Sequence, residues 1–387
     1  MRVCFISHSA GRYGAELALL ELLEGLVRCG IDCKVLVPEK GPLLVELDRL
    51  QIEWRLVEFP LWRPHRRKIR SRIFRTIKAL SYAFSMARAI LEWKCDIVYT
   101  NTVMIVAGAF AAFLARKPHV WHLHEFGYVD PKEQFDLGRG IVTWLIDYLS
   151  AAVIANSNTL KQEYAKYVDT QKFHVIYQAV TLKKFTDSSP LSIAGITAFK
   201  CIIIGSLQKA KAQDEAILAL AEARRQGVPA TLLLIGEGDQ SFRLMLKELA
   251  ERCGVAQQVI FYGYARNLMP LINSADAVLI CSRSESFGRV TVEAMLAGKA
   301  VIGAAGGGTL ELIRDGSTGL LYSPGNYLEL AAKIRYLYEN VEQKLGLGAT
   351  AYAWAKDRFC QKKYAREVIK LLEEVVEGKK NRYDECR

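Results

Sequence analysis

The chain has 387 residues, 51% of them hydrophobic and 24% charged, which is enough apolar material for more than one core and excludes a disordered polymer. Its nine cysteines are scattered without a C-x2-C pair, Cys29 and Cys33 being the nearest neighbours. That argues against a zinc ribbon or a disulfide framework and for a reducing cytosol. A net charge of +11 anticipates an anionic partner.

Met1 to Ser7 turns polar too early for a signal peptide, and a strand is expected at Val3 to Ile6. Further β-branched runs predict strands at Lys34 to Val37, Ile97 to Thr100, His119 to Leu123, Ala152 to Ala155 and His174 to Tyr177, with helices starting near Gly14, Ser71, Val103 and Ser157. Thr102 to Leu114 is apolar but too short to span a bilayer, and Arg116-Lys117 ends it, so a buried helix is expected there. The polar, turn-forming run Thr186-Asp187-Ser188-Ser189-Pro190-Leu191-Ser192 marks a linker, 186–198. A second series follows, with strands at Cys201 to Ile204, Thr231 to Ile235, Val259 to Tyr262, Ala277 to Ile280 and Ala300 to Gly303, and helices starting near Lys211, Phe242, Asn267 and Val290. After Asn326 the pattern is helical throughout, and Lys362 to Val376 is amphipathic.

Strands alternating with helices predict parallel sheets covered on both faces. The fold class is therefore α/β, with two tandem Rossmann-like doubly wound domains over 1–185 and 199–361. Such sheets bind ligands beyond the carboxyl ends of their strands, so the two are expected to face a cleft.

Charge is concentrated early. Arg63, Arg66, Arg67, Lys68, Arg70, Arg72, Arg75 and Lys78 follow one another without an acidic residue, interleaved with Trp62, Ile69, Phe74, Ile77, Tyr82 and Phe84. A basic, aromatic helix over 62–84 suits an anionic membrane surface; a core-facing helix with a solvated basic side fits the same pattern. No nucleic-acid recognition motif accompanies it, and nucleic acid is not an expected partner.

The most specific stretch runs from Ser284-Glu285-Ser286-Phe287-Gly288-Arg289 through Glu293 to Gly298, and then to Gly306-Gly307-Gly308-Thr309-Leu310-Glu311. Two glutamates flank a Phe-Gly turn that opens a helix; helix amides attract phosphate and carboxylates accept hydroxyl hydrogen bonds. The stretch resembles the paired-glutamate signature of the retaining family-4 glycosyltransferases, whose fold is GT-B. The resemblance implies that Glu285 addresses the transferred sugar and Glu293 the ribose, with Phe287, Gly288 and Arg289 at the diphosphate. It also implies that the last helix, 362–378, returns to the first domain.

Further elements match that family in chain order. Gly205-Ser206-Leu207-Gln208-Lys209-Ala210-Lys211-Ala212 resembles its G-R-L-x-x-x-K-G element, with Lys211 on the phosphates; Ser206 stands where the family has arginine and Ala212 where it has glycine. Gly14 and Glu16 match a glycine-rich loop that approaches the donor phosphates, and His124, followed by Glu125, takes the place of a histidine near the transferred sugar. Gly263 and Tyr264 resemble the segment that meets the base. His122 and His124 share a strand face, but no third or fourth metal ligand accompanies them, and no D-x-D motif is present; no metal or other cofactor is expected.

The expected function is thus transfer of a hexose-type sugar, with retention, from a UDP- or GDP-sugar donor to a glycan or lipid-linked acceptor in cell-envelope or exopolysaccharide synthesis. Glu285, Lys211 and His124 would serve catalysis. The expected location is the cytoplasm, peripheral on the inner face of a membrane. The alternatives are a GT-B-fold sugar-nucleotide epimerase and a non-catalytic protein binding nucleotide or anionic polymer.

Overall fold

The computed structural model describes residues 1–59, 61, 69–127, 138–182 and 198–384, without the side chains of 69–73, 75, 76 and 379–384. The chain divides into two compact units, Met1–Ala179 with Phe359–Arg387, and Val180–Arg358. The sequence boundaries at 185 and 361 thus fall a few residues away from the structural ones, and residues 183–197, almost all of the expected linker, lie outside the described residues.

The first unit is a seven-stranded parallel sheet in the order β3-β2-β1-β4-β5-β6-β7. Its strands are β1 (Arg2–Ser7), β2 (Asp32–Val37), β3 (Glu53–Leu56), β4 (Ile97–Asn101), β5 (His119–Leu123), β6 (Ala152–Ala155) and β7 (Phe173–Val175). The helices are α1 (Gly14–Arg28), α2 (Pro42–Arg49), α3 (Ile69–Glu92), α4 (Val106–Leu114), α5 (Gly138–Leu149) and α6 (Asn158–Tyr164). Every residue of β4, β5 and β6 is buried, as a sheet covered on both faces requires. Alternate residues feed two cores. Val3, Phe5 and Tyr99 meet α1 and α2 on one face, while Cys4, Ile6 and Val98 meet α3 and α4 on the other, where Trp121 and Leu123 pack on α4 and α5.

The second unit holds β8 (Phe199–Ile204), β9 (Ala230–Ile235), β10 (Val259–Gly263), β11 (Ala277–Ile280), β12 (Ala300–Ala304) and β13 (Leu320–Tyr322). They pair in parallel in the order β10-β9-β8-β11-β12-β13. Its helices are α7 (Gln213–Arg225), α8 (Gln240–Arg252), α9 (Met269–Ser274), α10 (Arg289–Leu296), α11 (Thr309–Leu312), α12 (Tyr327–Glu339) and α13 (Val341–Arg358). In each sheet the strand order reverses once, between β1 and β4 and between β8 and β11, and such a switch point opens a crevice for ligands.

The last helix, α14 (Gln361–Asp384), packs in the first unit. Tyr364, Val368 and Leu372 are buried in its core beside α1. Gly25 lets the two helices approach, since a Cβ there would lie 2.7 Å from that of Ala365. Gln361 fastens the start of α14 through Nε2, which donates to the carbonyl of Glu21 at 2.9 Å.

Five elements depart from the sequence expectation: β3, β13, α2, α5 and α11 are not anticipated by it. The expected strand His174 to Tyr177 is Phe173–Val175. Helix α4 begins at Val106 rather than near Val103, because Thr102 has φ +87 and Ile105 is extended at φ −123 and ψ +91, so the chain is not helical before Val106; the Val103 amide donates instead to Glu125 Oε1 at 3.2 Å.

Candidate active site

At the switch point of the second unit, the loops leaving β8, β9 and β10 stack backbone on backbone. The Gly205 amide donates to Ile235 O at 2.9 Å, Leu207 N to Glu237 O at 2.9 Å, and Gly236 N to Gly263 O at 2.8 Å. A Cβ on Gly236 would lie 2.1 Å from Gly205 O, and one on Gly238 would lie 2.1 Å from Leu207 O, so only glycine permits these approaches. Ser206 is exposed, and its carbonyl accepts from Gln213 Nε2 at 2.9 Å. Ala212, where the resembling family has glycine, keeps a left-handed backbone at φ +48, which explains the family's preference.

That turn delivers Lys211, whose ammonium is ion-paired with Glu285 Oε1. Both side chains are partly exposed, at 27% and 17%, so the pair is accessible to a ligand. Glu285 is held from beneath by the triple glycine. Gly308 N donates to Glu285 O at 2.7 Å, and a Cβ on Gly306, Gly307 or Gly308 would fall 2.6, 2.4 or 2.6 Å from a carbonyl oxygen of Arg283, Glu285 or Ser286.

Phe287 is buried and anchors the turn, and Gly288 (φ +95) caps α10 with no side-chain hydrogen bond to the helix amides. The N-terminus of α10 carries the partial positive charge of the helix dipole. Arg289 and Glu293 face each other one turn apart, Nε to Oε1 at 4.0 Å. Gly263 ends β10 at φ +85, and Tyr264 beyond it is 59% exposed, free to offer its ring to a planar ligand.

The first unit assembles a separate cluster at its own switch point. Glu16, in the first turn of α1, is buried; it accepts from Ser9 Oγ and lies 3.2 Å from His8 Nε2. Through Oε1 its carboxylate thus secures the loop that Gly14 ends, while Oε2 is buried with no hydrogen-bond partner. Asn101 joins this loop to His124. Its Nδ2 donates to Ala15 O at 3.1 Å, and its Oδ1 lies 2.8 Å from His124 Nε2, which therefore carries the ring proton. The His124 ring lies against that of His122, tilted by 40° with centroids 4.0 Å apart. His122 is bound through Nδ1 to Tyr99 Oη at 2.6 Å, and burial holds its pKa down to about 3. Burial, with the Glu16 carboxylate adding to it, pushes Glu125 up to about 7, against the pull of the Val103 and His124 amides. Among the described residues no group of three His, Cys, Asp or Glu side chains could hold a metal ion.

Sequence reasoning did not single out Asn101, Ser9, Gln213 or Glu215. Glu215 receives the Gly325 amide on both carboxylate oxygens at 3.1 Å, and burial raises its pKa. Asn101 and Glu215 reach across 86 and 110 residues, whereas Ser9 and Gln213 each brace a partner seven residues away.

Two doubly wound parallel units, the second carrying a Lys–Glu pair beside an uncapped helix N-terminus, define the GT-B class of glycosyltransferase architecture. The sequence pattern described as Glycosyltransferase Family 4 matches residues 13–184, and that described as Glycosyl transferases group 1 matches residues 196–354. Crystal structures of Anabaena HepE superpose with TM-scores of 0.80. They cover 97% of this chain and 100% of that one, at 27% identity for the complex with UDP and 26% for the complex with UDP-glucose. N-acetyl-α-D-glucosaminyl L-malate synthase of Bacillus anthracis is 29% identical over 180 residues, 46% of either protein, so the chain matches just under half the length of that relative. The chain belongs to the family-4 glycosyltransferases of the GT-B fold.

Proposed function

We propose that this chain transfers a hexose-type sugar from a UDP- or GDP-sugar to a glycan or lipid-linked acceptor, with retention of anomeric configuration and without a metal cofactor. The pathway is cell-envelope or exopolysaccharide synthesis, at the cytoplasmic face of a membrane. The observation that carries the reading is the Lys211–Glu285 pair set beside the uncapped start of α10. The likeness to the HepE complexes with UDP and UDP-glucose supports the donor class.

In this reading, Lys211 and the α10 amides take the charge that grows on the departing diphosphate. Glu285, already paired with that lysine, holds sugar hydroxyls, and Glu293 holds the ribose. The bond from the anomeric carbon to the diphosphate oxygen breaks while the acceptor oxygen bonds to the same face of that carbon. The acceptor proton passes to the departing phosphate oxygen. His124, fixed by Asn101, faces the transferred sugar. A cavity of about 630 Å³ in the first unit, lined by His8, Lys40, Leu56, Phe59, Lys78 and Tyr82 among others, is read as the acceptor side.

The test is to incubate the protein with UDP-glucose or another nucleotide sugar and a panel of glycan acceptors. UDP release that requires the acceptor, with an α-linked product from an α-linked donor, is the expected result. Epimer formation without acceptor would mark an epimerase. Nucleotide binding without release would mark a binding protein. Wild-type rates in Glu285→Gln or Lys211→Ala would remove the site assignment.

A further inference from the structure

The cavity of the first unit follows the sheet outward from its switch point. His8 comes from the carboxyl end of β1, Glu39 and Lys40 from that of β2, Glu58 from the chain leaving β3, and Lys78 and Tyr82 from α3. Strands β1, β2 and β3 are neighbours in the sheet, so the wall runs across two inter-strand spacings, about 10 Å. Its volume of about 630 Å³ lies within the range of pockets that enclose drug-sized molecules, more than a single sugar ring fills. The inner end is His8, whose Nε2 lies 3.2 Å from Glu16 Oε1. Glu16 also accepts from Ser9 Oγ, so this end of the cavity adjoins the switch-point cluster.

The wall carries charges of both signs. Glu39, Lys40, Glu58 and Lys78 are all exposed, and among the described residues none of them has a side-chain hydrogen bond or an ion pair. Charges elsewhere on the same elements are paired: Lys34 of β2 lies 3.0 Å from Glu53 of β3, and Arg55 of β3 lies 2.5 Å from Glu92 of α3. Carboxylates accept and ammonium groups donate hydrogen bonds, so a wall with both matches hydroxyl groups, which do both. A diphosphate calls for a wall of one sign, and here two carboxylates stand with the two lysines. The half-buried Tyr82 packs on the same core as Val57 and Leu61, next to β3. With Leu56 and Leu61 it supplies apolar surface for the C–H face of a sugar ring.

We propose that the cavity binds an oligosaccharide acceptor rather than a lipid diphosphate, across two subsites. The sugar that receives the new bond lies at His8, with Glu39 and Lys40 on its hydroxyls. The next sugar lies over Tyr82 toward β3, held by Glu58 and Lys78. This deepens the acceptor side of the proposed function and rests on it. Chain length then determines turnover, because a single sugar leaves Glu58, Lys78 and Tyr82 without a ligand.

The experiment measures nucleotide release from UDP-glucose, UDP-galactose or GDP-mannose with three sets of acceptors. These are methyl glycosides of single hexoses, the matching methyl disaccharides, and a prenyl-diphosphate-linked hexose. Disaccharides should exceed monosaccharides in kcat/KM by at least about tenfold, for the charge-assisted hydrogen bonds that the second ring gains. The double variant Glu58→Ala, Lys78→Ala should cut that ratio by about tenfold while keeping the thermal midpoint and the affinity for nucleotide, which a merely structural role would not do. Equal kcat/KM for one ring and two, or a ratio unchanged in the double variant, would overturn the second subsite. Turnover of the prenyl-diphosphate-linked hexose with none of the uncharged glycosides would overturn the choice of acceptor. Nucleotide binding, measured on the same preparations, tests the transferase reading separately: its absence sinks that reading, whereas binding without turnover of any glycoside sinks this proposal alone.

Discussion

Replacing Gly307 with alanine is expected to disable the proposed site while leaving the second unit folded. Gly307 has φ +55, and a Cβ there would lie 2.4 Å from Glu285 O and 2.9 Å from Glu285 N. Both obstacles are backbone atoms, so relief requires the Glu285 loop to move by about 1 Å to reach an ordinary contact. The left-handed conformation adds about 1–2 kcal/mol for a residue with a Cβ, and the forced shift about 1–3 kcal/mol more. A 1 Å misplacement of a positioned group lowers turnover on the order of a hundredfold, here by drawing Glu285 away from Lys211 and the sugar. Gly254→Ala is the control: φ is +70 and nothing lies within 4 Å of the added Cβ, so it carries the backbone strain without the push. Acceptor-dependent UDP release and thermal midpoints would be measured on both variants. A Gly307→Ala protein with wild-type kcat, or with no greater midpoint loss than Gly254→Ala, would refute the reasoning.

Acid should destabilise the first unit through its buried histidines. Burial lowers His119 and His122 to about 3, so below the ordinary histidine value of 6.5 only the unfolded chain takes up these protons. The stability they contribute is whole above pH 6.5 and is lost as pH falls toward 3, at about 1.4 kcal/mol per pH unit for each ring. Urea unfolding over that window should give a slope that His122→Gln lowers by about 1.4 kcal/mol per unit; an unchanged slope would contradict the burial argument. Glu125 acts with the opposite sign. Its folded value of about 7 exceeds the ordinary 4.5, so between those values the native state binds the extra proton and stability falls as pH rises. Glu125→Gln should therefore be more stable than wild type by about 1–3 kcal/mol at pH 8, with the gap closing toward pH 5; equal denaturation midpoints at both pH values would count against it. Gly25→Val should lift α14 from α1 and cost about 1–3 kcal/mol. Ala365→Gly in the same chain should recover part of that loss, and strict additivity in a double-mutant cycle would exclude the contact.

The parallel sheets were legible because their strands are buried on both faces and read as unbroken apolar runs, as in Ala277 to Ile280 and Ala152 to Ala155. What escaped was short, half-exposed or disguised. Strand β3 is a four-residue edge with no buried position. Helix α2 opens with Pro42 at its first turn, so Gly41-Pro42 reads as a turn although proline is well suited there. In α5, Ile141, Val142, Thr143 and Ile146 are β-branched and weak helix formers. In the candidate site, Glu285, Glu293 and Lys211 were singled out through the resemblance of their motifs to the family's, not through spacing alone. The bracing partner Asn101 was not singled out, because what it holds depends on which strand ends the topology brings together; Gln213 holds Ser206 O through the local turn between β8 and α7. Glu16 was singled out by its motif position, while its contacts with Ser9 and His8 through Oε1 are ones that no spacing encodes.

The central claim is that the second unit holds a nucleotide diphosphate on Lys211 and the start of α10. Titration calorimetry of UDP into wild type, Lys211→Ala and Glu285→Gln tests it most directly. Saturable UDP binding by wild type, at least about tenfold weaker in Lys211→Ala for a lost charge-assisted contact and nearly intact in Glu285→Gln, is the predicted result. Undiminished affinity in Lys211→Ala, or no UDP binding by wild type, would contradict it.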